Sequence, residues 1–447
     1  MKKRLVRIMG CIITVVLTVS LLGIMTNIVE RKASYIKYVD FFEEKENFDV
    51  LFLGSSHVIN GIYPMELWND HGIVSYNCGG HSNQLGTSYW VMENLFDYTT
   101  PRVVVIDCLG LENNRKCSGA FSYLHMSLDA FPLTPTKVRA VWDLLDDPVV
   151  DEMIANGTVE KGEPRTKMGL LWNYSVYHSR WNELTQRDFS PTPSKEKGAE
   201  FRIAVTNCEY NALDREQKIE GGTLAEQYLR KMIEECHSRG IEVLLINIPF
   251  PAKEEEYQAA NYAYDIADEY GINYINFFDM AMIDGNTDFF DATGHMNPSG
   301  ARKITGYLGD YLVQNYNLTD RRDDESYAGW NADYLEYTEL KDENFRTQED
   351  LASYFVLLYG DNVDASIEVS DISILQNENI AGLLANAGIE KGEIVIDTNL
   401  ADNETNPVVH ITTKRDDVII DDVSFVCSIC SDDYSVDVLE TQHKERN

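Results

Sequence analysis

The sequence predicts an α/β protein: a three-layer sandwich around a mainly parallel five-stranded sheet, preceded by a transmembrane helix and followed by a small α+β domain. Three observations carry that expectation. Residues Ile8 to Val29 contain no charged side chain. From Phe48 onward, short apolar runs alternate with segments of helical length and period. Around residues 318–345 the composition turns acidic and polar, with Asp320-Arg-Arg-Asp-Asp-Glu325, before a different rhythm begins. At 447 residues the chain is also longer than one ordinary domain.

Taken in order, residues 1–29 read as a cytoplasmic tip and membrane anchor. About 20 apolar residues cross a hydrocarbon core of ~30 Å, and Lys2, Lys3, Arg4 and Arg7 precede the run. The positive-inside rule therefore places the tip in the cytoplasm and the rest of the chain outside it. The run is longer than a signal-peptide core and no small-x-small cleavage site precedes Glu30, so an uncleaved single-pass anchor is expected. Residues 30–47 read as a polar helical stalk. Within residues 48–317, Val50–Leu53, Ile73–Tyr76, Val103–Ile106, Val243–Ile246 and Ile272–Phe277 read as buried strands. Leu85–Phe96, the four-residue repeat of Leu224, Tyr228, Met232 and Cys236, and residues 253–269 read as helices. Asn297-Pro298 opens another, with asparagine as cap and proline in the first turn. Residues 111–221 break the alternation, with Pro132, Pro135, Pro148, Pro164, Pro191 and Pro193, and read as an insertion forming a lid or substrate wall. Residues 318–345 are expected to be a linker, and 346–447 an accessory domain with a helix at Leu351–Tyr359 and strands at Ala365–Val369, near Ile394 and near Val408.

The balance of charge excludes some functions. A formal net charge of −35 repels phosphate backbones, so nucleic acid is not an expected partner. The eight cysteines show no disulfide framework. Cys427 and Cys430 form a C-x-x-C in a strand-like run, where a helix N-terminus is not at hand to activate a thiolate, so a buried pair or a local disulfide is expected.

Two segments carry residue types suited to chemistry. Asp49-Val-Leu-Phe-Leu-Gly-Ser-Ser-His57 ends a buried strand in small residues, as an exposed serine nucleophile at a tight turn requires. Phe289-Phe-Asp-Ala-Thr-Gly-His-Met-Asn-Pro-Ser-Gly-Ala301 sets a carboxylate and an imidazole just before a helix. A base that takes a serine proton is held in one tautomer by an acid, which makes Ser56, His295 and Asp291 a candidate triad. Asp288 is the alternative acid. His57, His81, His178 and Trp181 are candidate substrate contacts, and His125 with Asp129 has types suited to sugar binding. No metal or organic cofactor is needed for this chemistry.

On these motifs the chain resembles the SGNH/GDSL hydrolases across residues 48–316. Gly54-Ser55-Ser56 is similar to the first block, whose third residue is the nucleophile, with Ser55 in place of the usual aspartate. Tyr76-Asn-Cys-Gly-Gly-His-Ser82 stands where the second block supplies an oxyanion N–H, from Gly80 or its neighbour Gly79. His295-Met-Asn-Pro-Ser-Gly-Ala301 resembles the ending of membrane-anchored members, which include relatives of the D-alanyl-lipoteichoic acid biosynthesis protein and of alginate O-acetyltransferases. Two departures stand out: the acid and base are spaced D-x-x-x-H rather than D-x-x-H, and Asn113 lies away from the offset of the third-block asparagine. The resemblance implies an extracytoplasmic esterase or O-acyltransferase. Its substrate would be an acylated cell-surface glycan or envelope polymer, and its partner a membrane-bound O-acyltransferase. The alternative is a non-catalytic assembly factor that keeps the fold to bind polymer.

Overall fold

The computed structural model describes residues 2–30, 37–158, 165–190, 195–400, 406–430 and 435–444. Its centre is a five-stranded, all-parallel sheet made of β1 (Val50–Leu53), β2 (Ser75–Asn77), β3 (Val103–Asp107), β4 (Glu242–Asn247) and β5 (Asn273–Asn276), in the order β2-β1-β3-β4-β5. Successive side chains of a strand point to opposite faces, and both faces are covered here. Leu51, Leu53, Val104, Ile106, Val243 and Leu245 pack under helices Leu85–Leu95, Leu224–Ser238 and Glu254–Tyr270. Val50, Phe52, Val103, Val105, Leu244 and Ile246 pack under helices Pro64–His71 and Pro298–Tyr316. The expected three-layer α/β class is the observed one. The chain leaves β1 toward β2 on one side and returns to β3 on the other. The carboxyl ends of β1 and β3 therefore flank the point where strand order reverses, the place where open sheets leave a crevice.

The N-terminal helix, Lys2–Val29, is long and apolar enough to cross a membrane; its central window has a mean hydropathy of 2.5 and is uncovered by protein. Residues 31–36 of the expected stalk lie outside the described residues. The rest of it does not stand off as a polar spacer. Tyr38, Phe41 and Phe48 are buried, with Phe41 stacked on Phe48 at 5.0 Å and Tyr38 against Phe131 at 5.3 Å. Aromatic area, which the polar residues around it conceal in the sequence, draws the segment onto the sheet.

Between β3 and helix Leu224–Ser238 the insertion folds into short helices, among them Phe121–Leu128, Pro135–Leu144, Pro148–Ala155 and Tyr174–Tyr177. Three of its expected punctuating prolines, Pro164, Pro191 and Pro193, lie outside the described residues. The pair His125 and Asp129 proves to be internal scaffolding. The imidazole Nδ1 sits 2.8 Å from the carboxylate, which also accepts the Tyr177 hydroxyl at 2.6 Å, and both residues are buried.

The stretch expected as a linker contains the helix Ala328–Arg346, whose Trp330, Tyr337 and Phe345 are buried. The C-terminal domain is a mixed sheet in the order β10-β9-β8-β6-β7, from β6 (Asp364–Val369), β7 (Val395–Ile396), β8 (Val408–Arg415), β9 (Val418–Ile429) and β10 (Val436–His443). Helices Leu351–Leu358 and Glu378–Asn386 complete its core. Cys427 is buried and Cys430 exposed, and both are free thiols, so the expected pairing is not made. Adjacent side chains on a strand face opposite ways, and three residues of offset send these two thiols to different surroundings.

Candidate active site

Ser56 stands at the first position of the short helix Ser56–Gly61, directly after β1. Ser55 caps that helix, its Oγ accepting the His57 N–H at 3.2 Å, a role that a carboxylate at this position would fill equally well. Gly54 precedes it because a Cβ there would lie 2.6 Å from Val58 and 2.7 Å from Asp107. As a first-turn residue, Ser56 has a backbone N–H with no intrahelical acceptor.

The acid and base arrive from the loop before helix Pro298–Tyr316. Phe289 bridges to Met296, and Asn297 caps the helix by accepting the Ser299 and Gly300 N–H groups. The loop from Asp291 to His295 turns at Gly294, which has φ +86° and donates its N–H to the Asp291 carbonyl at 3.1 Å. His295 Nε2 thereby lies 2.7 Å from Ser56 Oγ, and its Nδ1 lies 2.8 Å from Asp291 Oδ2. Burial works to raise the Asp291 carboxyl. Hydrogen bonds from Thr293 and His295 outweigh it and hold the group at about 2. The alternative acid, Asp288, is fully buried elsewhere, accepting from Lys303 Nζ at 2.6 Å and Ser299 Oγ at 2.7 Å.

Three residues outside the expected triad shape this geometry. Thr293 donates both its N–H (2.9 Å) and its hydroxyl (2.7 Å) to Asp291 Oδ1. His57 stacks on His295, ring centroids 4.9 Å apart and 18° from parallel. A carbonyl only accepts, so the 3.2 Å contact with the Thr293 carbonyl puts the His57 proton on Nε2. Its Nδ1 then accepts from Ser55 Oγ at 3.2 Å. Burial, and then the nearby His295, lower the His57 pKa to about 4, so the ring stays neutral and ties the nucleophile turn to the acid–base loop. The third is Asn83, 6% exposed. Its Oδ1 accepts the Ser127 hydroxyl at 2.6 Å, while its Nδ2 makes no hydrogen bond to any described group.

Ser56, His57, Asn83, Asn113 and His295 line one cavity of about 600 Å³, together with Gln84, Arg115 and Lys253. The turn at Gly79 and Gly80 does approach the nucleophile loop, where a Cβ on Gly79 would meet the Ser55 carbonyl at 2.7 Å. Its amides are engaged, however: Gly80 N–H donates to the Gly54 carbonyl at 3.0 Å and Gly79 N–H to Asn77 Oδ1 at 3.2 Å. Of the amides expected as oxyanion donors, that of Gly80 therefore holds the two turns together, and that of Gly79 closes its own turn. Asn113 directs its Nδ2 to Glu112 at 2.8 Å. His81 pairs with Glu200 at 3.5 Å, while His178 and Trp181 sit on the insertion beside the N-terminal helix; none of the three lines the cavity. His81 stands near a motif, and His178 and Trp181 have types suited to sugar binding, but neither proximity nor residue type reports side-chain direction, and that misplaces these residues. No signal in the sequence singles out Asn83; Thr293 is legible only as the hydroxyl between acid and base. Among the described residues no three of His, Cys, Asp and Glu converge in a metal-binding arrangement.

Asp107 ends β3 directly beneath this turn, 1% exposed, and its Oδ2 makes no side-chain hydrogen bond to any described group. Burial pushes its carboxyl up to about 7, against the Leu109 and Ile248 N–H groups that favour the ionised form. An unfolded aspartate titrates near ~3.9. Between those values only the folded chain holds the proton, so this stabilisation is full below about pH 4 and is lost as pH rises through 7. Asp107→Asn keeps the acceptor and removes the ionisation. Its melting temperature relative to the parent is expected to rise between pH 5 and pH 8; a difference that falls, or is flat, refutes the assignment.

What fold and site together define is a class: an open parallel α/β domain carrying a hydrogen-bonded Ser–His–Asp set at the switch point of its sheet. Comparison with family models finds no match, and comparison with curated proteins finds no relative.

Proposed function

We propose that the chain is a single-pass membrane protein whose folded part lies outside the cytoplasm. It acts there as a serine esterase or O-acyltransferase on acyl esters of a cell-surface polysaccharide or related envelope polymer. The observation that carries the reading is the continuous path from Ser56 Oγ through His295 to Asp291, at 2.7 and 2.8 Å. Its similarity to the SGNH/GDSL motifs, and the basic residues before an apolar helix, support the same reading. A binding-only factor has no need to hold serine and imidazole in hydrogen-bond contact. In the mechanism, His295 Nε2 takes the Ser56 proton as Ser56 Oγ attacks the ester carbonyl. The charge developing on the carbonyl oxygen is met by the Ser56 N–H and Asn83 Nδ2. His295 then gives the proton to the departing alcohol. Water or a sugar hydroxyl resolves the acyl-enzyme, with His295 again as base. The polar lining, with Gln84, Asn113 and Arg115, suits a hydroxyl-rich substrate.

The test is release of p-nitrophenol from p-nitrophenyl acetate by the full-length chain in detergent. At least one equivalent per chain, abolished by Ser56→Ala, supports the reading for hydrolase and transferase alike. Less than one equivalent from folded protein, or release that Ser56→Ala leaves intact, overturns it. The oxyanion role has its own readout. Asn83→Ala is expected to lower kcat by roughly 10²–10³ with KM little changed, as removal of one preorganised donor does. A loss below about threefold places the donor elsewhere.

A further inference from the structure

We infer that the insertion forms a membrane-seated collar: residues 167–189 lie in the headgroup region of the bilayer that the N-terminal helix crosses. The inference rests on the reading that this helix spans a membrane. Helices Tyr174–Tyr177, His178–Asn182 and Gln186–Phe189 pack against it. The hydrogen bonds fall at its last turn. Arg180 donates to the Val29 carbonyl, and Asn173 Nδ2 donates to Glu30 Oε2 at 2.8 Å. Val29 and Glu30 are buried by this contact, while Leu17, Val19 and Leu21 are bare. From Ile8 to Val29 the helix rises about 30 Å, the thickness of a hydrocarbon core. The insertion thus grips the helix at the level where hydrocarbon gives way to headgroups.

At that level the insertion exposes the residues an interface favours. Trp181 is 72% exposed, Met168 59%, Phe189 55% and Trp172 43%. Large apolar side chains left in water on a short segment are unfavourable, and each transferred into a bilayer interface contributes on the order of 1 kcal/mol or more. Tryptophan in particular partitions to headgroup level, its ring apolar and its N–H hydrogen-bonding. Residues 167–189 carry Lys167, Arg180 and Arg187 against Glu183 and Asp188, so the segment is close to neutral and the collar is held by aromatic partitioning rather than by lipid charge. The same insertion holds Asn83 through Ser127, so the collar ties the cavity's position to the membrane surface.

The experiment uses the full-length Cys430→Ser chain reconstituted in phosphatidylcholine vesicles, with two readouts. Cys11 lies within the apolar helix, and apart from Cys430 it is the exposed thiol among the described residues. Its resistance to a membrane-impermeant maleimide reports spanning. Shallow-brominated phosphatidylcholine reports tryptophan depth. Quenching of about a third of the emission is expected, from two of six tryptophans, falling by at least half in Trp172→Phe/Trp181→Phe. Protected Cys11 with that pattern supports the collar. Protected Cys11 with unquenched tryptophan, or with quenching the double variant keeps, overturns the collar alone and leaves this face to water or a membrane-embedded protein partner. A reactive Cys11 overturns the spanning reading, and the collar falls with it.

Discussion

Replacing Ser56 by alanine is expected to abolish p-nitrophenyl ester turnover, with a loss of roughly 10⁴–10⁶ in kcat, and His295→Ala should match it. The two residues act as one unit, since the hydroxyl is a poor nucleophile until the imidazole 2.7 Å away takes its proton. For the same reason the double variant should be no worse than either single one. Asp291→Asn is expected to lose about 10⁴, because an amide no longer anchors the His295 Nδ1–H in the tautomer that leaves Nε2 free to accept. Asp288→Asn separates the two candidate acids. Asp288 is buried against Lys303 and Ser299, so its replacement should lower thermal stability while the surviving folded protein keeps its kcat. Steady-state kinetics beside melting curves read all five variants. Retention of activity in Asp291→Asn, with loss in Asp288→Asn, would reverse the assignment.

Asp361→Ala is expected to cause the largest loss of stability among single substitutions of charged residues, about 3–5 kcal/mol. The carboxylate is 1% exposed and sits 2.6 Å from Lys341, 3.2 Å from Arg302 and 3.0 Å from Arg415. Glu66 and Asp342 complete the cluster, giving three acids and three bases, all with little exposure. Removing one acid leaves an uncompensated cation in a place water does not reach. The cluster draws on helices Pro64–His71, Pro298–Tyr316 and Ala328–Arg346 and on β8, so the loss should also loosen the C-terminal domain from the α/β domain. Burial works against the Asp361 charge, but the three cations outweigh it and hold its carboxyl below the ordinary range. Its contribution is therefore present above about pH 4 and is lost as pH falls further. Calorimetry and limited proteolysis check both points. Asp323→Ala, at an exposed position, is the control and should stay within about 0.5 kcal/mol. An Asp361→Ala chain as stable as that control would remove the cluster from any account of how the domains are joined.

Local chemistry made much of this legible beforehand. The apolar runs at Val50, Val103 and Val243 announce strands covered on both faces, because only a side chain at every position being buried demands apolar residues without alternation. Asn297-Pro298 announces a helix start from the needs of its unpaired N–H groups. The turn Gly54-Ser55-Ser56 and the loop from Asp291 to His295 are each readable from what a nucleophile and a base require. Strand β10 was not legible, since Val436–His443 mixes acidic and apolar residues at an edge that is half in water.

What the sequence could not hold is the relation between segments. Ser56 and His295 are 239 residues apart, and their contact depends on the order in which five strands lie side by side. The same packing turned His57 onto His295, engaged the Gly80 amide with Gly54, brought Asn83 to the cavity wall and carried Trp181 away to the N-terminal helix. By itself the sequence determined the strands of the parallel sheet, the long apolar N-terminal helix and which residue types are fit for acyl chemistry, because those follow from burial pattern and capping within a few residues. The tertiary structure alone decided which acid lies against His295 and which backbone amides are already engaged. Side-chain direction is settled by the sum of distant contacts, and no short stretch of chain encodes that sum.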